Sequence, residues 1–417
     1  MKVYLETYGC TANKADACII EGLLQKKQHQ VIPTADAADV LILLTCTVIG
    51  TTEQRMLSRL RVLKQVGKPL IVAGCMAAVQ QKLIRSIVPD AQLLPPPHIH
   101  HIMDIIEGKT VTFITRHKTR CPKQFTDVVA PLSIAEGCLF SCSYCITSQA
   151  RGPLVSYPLQ EVIQDMQTAL DQGCKEIQLT AQDTGSYGME TGEQNLGNLL
   201  QSISSLKGAF RVRVGMMNPY TAHTHLSSIL QGLADKRIYK FVHLPVQSGD
   251  NDLLQKMNRR YTVQDFITIV EQFRKRYPEI TLSTDVIIGF PTETDECFQH
   301  TIELLETVKP DITNITRYSA RPHTKAKSMK GRIATHVAKE QSRLLTDLCT
   351  KISFERNIQL IGKRYTVLIT EQGKKSTMMG RTETYKPVVV SEQVGRGSFV
   401  PVKITDAAPT YLVGKII

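Results

Sequence analysis

The chain of 417 residues has no tryptophan, and aromatic residues make up only 6% of it. No apolar run approaches the roughly 20 residues that a membrane-spanning helix needs, so no membrane partner is expected. The opening Met1-Lys-Val-Tyr-Leu-Glu-Thr7 lacks the basic start and apolar core of a signal peptide and reads as a strand. A cytoplasmic protein is expected. There the 11 cysteines are better read as metal ligands and buried thiols than as disulfides. Acidic residues are in deficit, 38 against 50 Lys and Arg, for a net charge of +12. That balance favours a polyanionic partner. From Lys363 onward there are nine basic and four acidic residues, so the tail carries +5 of it.

Histidine is absent for twenty residues on either side of Cys138, in a stretch that is rich in cysteine. Cys138, Cys142 and Cys145 form C-x3-C-x2-C within Glu136-Gly-Cys-Leu-Phe-Ser-Cys-Ser-Tyr-Cys-Ile146. Three thiolates at this spacing can hold three irons of a four-iron cluster and leave the fourth open. An open position can take a substrate or cofactor, as in catalytic zinc sites. Zinc is the alternative, but a tetrahedral site needs a fourth ligand nearby. With Tyr144 before the last cysteine, the stretch resembles the signature of the radical S-adenosylmethionine superfamily. The resemblance implies that the open iron chelates S-adenosylmethionine, whose reductive cleavage releases a 5′-deoxyadenosyl radical.

The first hundred residues alternate apolar runs (Val3 to Thr7, Val40 to Leu44, Leu70 to Ala73) with segments of helical spacing (Lys14 to Lys27, Thr52 to Gln65). This predicts an α/β, doubly wound parallel-sheet domain over 1–108. Pro95 to His101 reads as an exposed loop, and 109–128 as a polar linker. Six further strand–helix units predict a partial (β/α)6 barrel over 129–360, ending in a long polar-faced helix from about Thr335. Barrels of this kind place chemistry after the C-terminal ends of their strands, where the cysteine triplet falls. The β-type runs beyond Tyr365 predict a small all-β module over 361–417, a class that often binds nucleic acid.

Cys10, Cys46 and Cys75 sit at the ends of the three N-terminal strands. In a doubly wound sheet such loops converge on one edge, yet as a spacing signal alone this is weak. Together with Gly9-Cys-Thr-Ala-Asn13, Thr45-Cys-Thr-Val48, Arg151-Gly152, His243-Leu-Pro-Val-Gln-Ser-Gly249, Asp285-Val-Ile-Ile-Gly-Phe-Pro291 and Tyr318-Ser-Ala-Arg-Pro322, the chain resembles the methylthiotransferase family. Its tail, with Gly380-Arg-Thr-Glu-Thr-Tyr385, resembles the TRAM domain. The resemblance spans nearly the whole chain and is strongest to the archaeal and eukaryotic branch. No membrane anchor follows the tail, so a prokaryotic, archaeal enzyme fits.

The family implies methylthiolation of carbon 2 of N6-threonylcarbamoyladenosine at position 37 of tRNA. It implies two [4Fe-4S] clusters, one on Cys10, Cys46 and Cys75 that carries the sulfur, and one on the Cys138 triplet. It also implies two molecules of S-adenosylmethionine (one methyl donor, one radical source), an electron donor and a sulfur source. The alternatives are isopentenyl-adenosine in tRNA or an aspartate of a ribosomal protein. The family commonly has Asn-Thr-Cys where this chain has Leu44-Thr-Cys, which puts a supporting hydrogen bond there in doubt. Tyr144, Arg151, Gln182, Asp183, Asn218 and Gln247 are candidates to orient S-adenosylmethionine, with Arg151 on its carboxylate. Asp285, within a strand, reads as a buried structural acid. Lys325, Lys327, Lys374, Lys375 and Arg381 are candidates for RNA phosphates, with Lys330 and Arg332 beside the first pair.

Overall fold

The computed structural model describes residues 1–112, 117–374 and 376–417. Strand β3 (Val40–Thr45, VLILLT) is buried at every position, as only the middle of a parallel sheet covered on both faces allows. Around it lie β1 (Lys2–Thr7), β2 (Gln30–Ile32), β4 (Leu70–Gly74) and β5 (Gln92–Leu94), in the order β2-β1-β3-β4-β5, all parallel. Side chains alternate across the sheet. Ile42 and Leu44 join Ile19, Ile20 and Leu24 of α1 (Thr11–Lys26) on one face. Leu41 and Leu43 join Met56, Leu57, Leu60 and Leu63 of α2 (Gly50–Gln65) on the other.

Six parallel strands then form the half-barrel. Val129–Ser133, Glu176–Thr180 and Arg211–Val214 make one sheet, and Phe241–His243, Thr281–Ile288 and Ile312–Arg317 make the second. Bridges Val212↔Ile238 and Met216↔His243 join the two sheets. A helix over Thr335–Ile358 leads to a closed five-stranded barrel at the C-terminus. Among the described residues no helix is long and apolar enough to cross a membrane.

The C-terminal barrel docks on the N-terminal ends of the half-barrel strands, opposite the cysteine triplet. Its Thr382–Lys386 turn enters there. The Tyr385 ring lies 4.8 Å from that of Tyr239 and 5.0 Å from that of Phe241, under the Arg213 guanidinium at 5.4 Å. Buried Lys386 donates to Asp311 at 2.8 Å and to Asn357 at 2.7 Å. Aromatic and charged groups thus seal the lower mouth of the half-barrel.

One expectation is corrected. Pro96–His101 is a 3-10 turn with Pro96 and Ile99 buried, because Ile99 packs into the α1 face of the first sheet. The stretch 117–128 packs against both neighbouring domains. Lys118 is buried, Lys123 pairs with Asp165 at 2.8 Å, and Arg120 pairs with Glu161 at 2.9 Å.

Candidate active site between two cysteine sets

Cys10 ends the loop after β1 and precedes α1, Cys46 follows β3, and Cys75 opens the short helix α3 (Cys75–Val79) after β4. Parallel strands bring these loops to one edge, and two buried side chains lace them. The Asn13 amide nitrogen donates to Tyr8 O at 2.7 Å and Thr45 O at 2.9 Å. The Thr45 hydroxyl donates to Ala73 O at 2.6 Å. All three cysteine loops are therefore tied through Asn13 and Thr45. The approach is close enough to require glycine at two points. At Gly9 (φ +105°) a Cβ would meet Cys46 Cβ at 2.8 Å, and at Gly74 (φ +89°) one would meet Thr45 O at 2.5 Å. Leu44 points into the core, and the amide that reaches this loop comes from Asn13 instead.

The half-barrel grips this edge from two sides. Arg151, at the end of the helix Thr147–Arg151 that follows Cys145, donates to Asn13 Oδ1 at 2.8 Å, Asp16 at 3.1 Å and Glu136 at 2.7 Å. Lys118 also pairs with Asp16 and Glu136. Two cations and two anions thus share one buried site. Arg321 makes the second grip, donating to Glu53 at 2.8 Å and Thr47 O at 3.4 Å beside Cys46, while Ser319 Oγ accepts from Gly50 N at 3.1 Å. Replacing Arg321 by Met is expected to cost about 1–3 kcal/mol in stability, because it leaves Glu53 and Ser319 without this donor. Denaturant titration checks this.

The triplet loop is organised for sulfur. Phe140 N donates to Cys138 Sγ at 3.5 Å, Thr147 N to Cys145 Sγ at 3.3 Å, and Arg259 Nη1 to Cys142 Sγ at 3.3 Å. Each cysteine set is close-knit electrostatically. Burial pushes Cys138 and Cys75 up to about 12, and the other cysteines of the same set add to it. Such thiols ionise on binding a metal group and release protons as they do so. Among the described residues no three His, Cys, Asp or Glu side chains converge on one ion.

Two buried acceptors without partners, Gln182 Oε1 and Gln247 Oε1, stand at the strand ends near the triplet. An ammonium group such as that of S-adenosylmethionine would satisfy them. Gln247 is held at φ +72°, a cost that a functional placement explains. It lines a cavity of about 190 Å³ with Tyr144, Cys145, Asp285, Val48 and Ile49. That cavity is bounded both by the triplet and by the loop after Cys46. A second cavity, of about 570 Å³, shares Ile49 and Thr316 to Ser319 with it.

The remaining sequence candidates divide. Tyr144 lines the smaller cavity, edge-on to Phe290 at 6.4 Å. Asp183 accepts from Gly185 N at 3.0 Å, Asn218 N at 2.9 Å and the Thr221 hydroxyl, so its carboxylate braces the loops. Asn218 caps the next helix through Tyr220 N. Arg151 was expected on a cofactor carboxylate, but its carboxylate partners are Asp16 and Glu136. Exposed Lys325 and Lys327 flank Ala326, whose N–H donates to Ser143 O at 2.8 Å, so this basic turn adjoins the triplet loop. Lys330 and Arg332 are exposed beside it, and Lys374 is exposed on the C-terminal barrel. Arg381 stacks over Tyr385 at 5.0 Å and pairs with Glu371, at the seam with the half-barrel. Lys375 lies outside the described residues.

Sequence reasoning passed over the contacts of Asn13, Arg259 and Arg321. Asn13 and Arg321 sit in quoted motifs and Arg259 lies outside them, but the role of each depends on partners far along the chain. Asp285 accepts from His243 Nε2 and Asn314 Nδ2, both at 2.8 Å. Burial opposes its charge, yet these bonds hold its carboxyl below the ordinary range.

Comparison with known proteins matches residues 132–305 to the radical SAM superfamily, 2–94 to uncharacterized protein family UPF0004 and 359–417 to the TRAM domain. A protein of Archaeoglobus fulgidus, named a probable threonylcarbamoyladenosine tRNA methylthiotransferase, is 40% identical over 100% of this chain and 99% of its own length. The threonylcarbamoyladenosine tRNA methylthiotransferase of Drosophila melanogaster is 32% identical over 100% of this chain and 78% of its own. The fold is like that of the radical S-adenosylmethionine methyltransferase TsrM of Kitasatospora setae, solved with cobalamin and a [4Fe-4S] cluster. That match has a TM-score of 0.59 at 14% identity, covering 78% of this chain and 77% of that one.

Proposed function

The chain belongs to the threonylcarbamoyladenosine tRNA methylthiotransferase family and is a radical S-adenosylmethionine enzyme, and on that premise we propose that it methylthiolates carbon 2 of N6-threonylcarbamoyladenosine at position 37 of tRNA. In this reading Cys138, Cys142 and Cys145 hold one [4Fe-4S] cluster and Cys10, Cys46 and Cys75 a second. Two molecules of S-adenosylmethionine, an external electron donor and a sulfur source take part. When bound, these groups supply the sulfur, the methyl group and the radical chemistry that carbon 2, inert to acid–base side chains, requires.

The observation that carries the proposal is the cavity of about 190 Å³ walled by Tyr144 and Cys145 on one side and Val48 and Ile49, just past Cys46, on the other. Tyr144 and Gln247 line it, and the chain's own residues bind, orient and exclude water. Gln182 and Gln247 offer carbonyls to an ammonium, Tyr144 packs against the bound cofactor, and Arg151 and Arg321 hold the two halves at fixed separation. The adjoining cavity of about 570 Å³ carries Arg317 and Arg332 on its wall. That cationic lining supports a threonylcarbamoyl arm, which ends in a carboxylate, over a neutral isopentenyl arm.

The test is mass spectrometry of nucleosides after incubating reconstituted protein, reductant, sulfide and S-adenosylmethionine with tRNA bearing either base. Conversion of the threonylcarbamoyl base is expected; conversion of the isopentenyl base alone would overturn the substrate assignment. The basic turn beside the triplet is the proposed phosphate contact. Replacing Lys325 and Lys327 by Gln is expected to flatten the salt dependence of tRNA affinity by about 0.7 log units per log unit of salt for each lysine. An unchanged slope in binding titrations would remove them from the interface.

A further inference from the structure

We infer that Arg151 is a positioning residue for the iron–sulfur group on Cys10, Cys46 and Cys75, holding the loops through Asn13 and donating its remaining Nε–H to sulfur at Cys75. The inference rests on the two-cluster reading above. Arg151 is 2% exposed, and both terminal nitrogens are bonded, to Glu136, Asn13 and Asp16. Its Nε is buried without a partner. A buried donor left unpaired is costly, so a ligand is expected there.

The place is next to Cys75. The helix Thr147–Arg151 packs against α3, which Cys75 opens. Stability alone does not account for this arrangement. Arg151 and Lys118 already balance Asp16 and Glu136, and buried ion networks are often no more stable than apolar packing of the same volume. What the network adds is geometry. Only the helix Thr147–Arg151 separates Cys145 from Arg151 in the chain, so one short strut links the radical site to the loops of the second site. Three thiolates also outweigh the charge of a resting four-iron core, and a guanidinium beside them offsets the excess.

The test uses the full-length protein with iron and sulfide reconstituted, in two backgrounds. C138A/C142A/C145A keeps only the second cysteine set, and C10A/C46A/C75A only the first. Into each go R151Q and R151K; the lysine keeps a cation for Asp16 and Glu136, and with it the fold, but has no Nε–H. Iron release to a chelator and the midpoint potential are measured for each.

In the C138A/C142A/C145A background both variants are expected to release iron about 10–100-fold faster than Arg151, the usual cost of losing a partner of a metal ligand. The potential is expected to fall for both, and further for R151Q, since hydrogen bonds and charge at the sulfurs set it. The other background is expected to be unchanged. Wild-type retention and potential in R151K overturn the inference, as do equal changes in both backgrounds, which would mark a general scaffold. A C138A/C142A/C145A protein that takes up no iron overturns the second cluster itself, and the inference with it.

Discussion

Cys75→Ala is expected to abolish methylthio product while 5′-deoxyadenosine is still formed from S-adenosylmethionine and reductant. Cys142→Ala is expected to abolish both. In the proposed two-cluster reading the two cysteines serve different sites, so their loss separates two functions. Cys142 accepts from Arg259 in a loop that also hydrogen-bonds to the Lys325–Ser328 turn. Cys75 lies across the interface, at the head of a helix against the Arg151 helix. Iron should fall by about half in Cys75→Ala, since one of two four-iron groups is lost. Nucleoside mass spectrometry, 5′-deoxyadenosine quantification and iron analysis are the readouts. Product from Cys75→Ala at the wild-type rate would show that the second set has no part in the reaction.

Asn13→Ala is expected to cost about 2–5 kcal/mol in stability and to release iron selectively from the second set. The side chain is fully buried and makes three hydrogen bonds, to Tyr8 O, Thr45 O and Arg151. Truncation leaves the buried Thr45 carbonyl and the part-buried Tyr8 carbonyl without this donor, at about 1–3 kcal/mol for a buried group. It also frees the Cys10 and Cys46 loops from each other. Denaturant titration and site-resolved iron analysis check the two halves of the expectation. A wild-type midpoint with full iron would mean that the strands alone hold the loops in place.

The second prediction marks where sequence reading stops. Cys138, Cys142 and Cys145 lie within eight residues, so their joint role is legible from spacing alone. The alternation of Val- and Leu-rich runs with helical segments likewise declares the parallel sheets, because side-chain period follows backbone geometry. Cys10, Cys46 and Cys75 are a harder case. Only resemblance to a family joins them before the fold does, since Cys is often merely buried.

Contacts across long sequence separations were not legible. Arg151 reaches Asn13 over 138 positions and Arg321 reaches Thr47 over 274. Nothing local announces either pair, and Arg151 reads toward a cofactor carboxylate for that reason. Asp183 and Asn218 were read toward the cofactor because their strand-end positions suit it. Whether a polar group there faces a ligand or braces its own loop depends on which donors the fold brings up.

By itself, then, the sequence determined the layers, the barrel strands, the radical-type cysteine triplet and a basic tail, all of which follow from local spacing and periodicity. Tertiary structure alone decided that the C-terminal barrel closes the mouth opposite the triplet, that Asn13 and Thr45 lace three loops, and that two arginines bridge the N-terminal domain and the half-barrel. These depend on side chains meeting across domains, where burial and charge pairing select partners that no local pattern encodes.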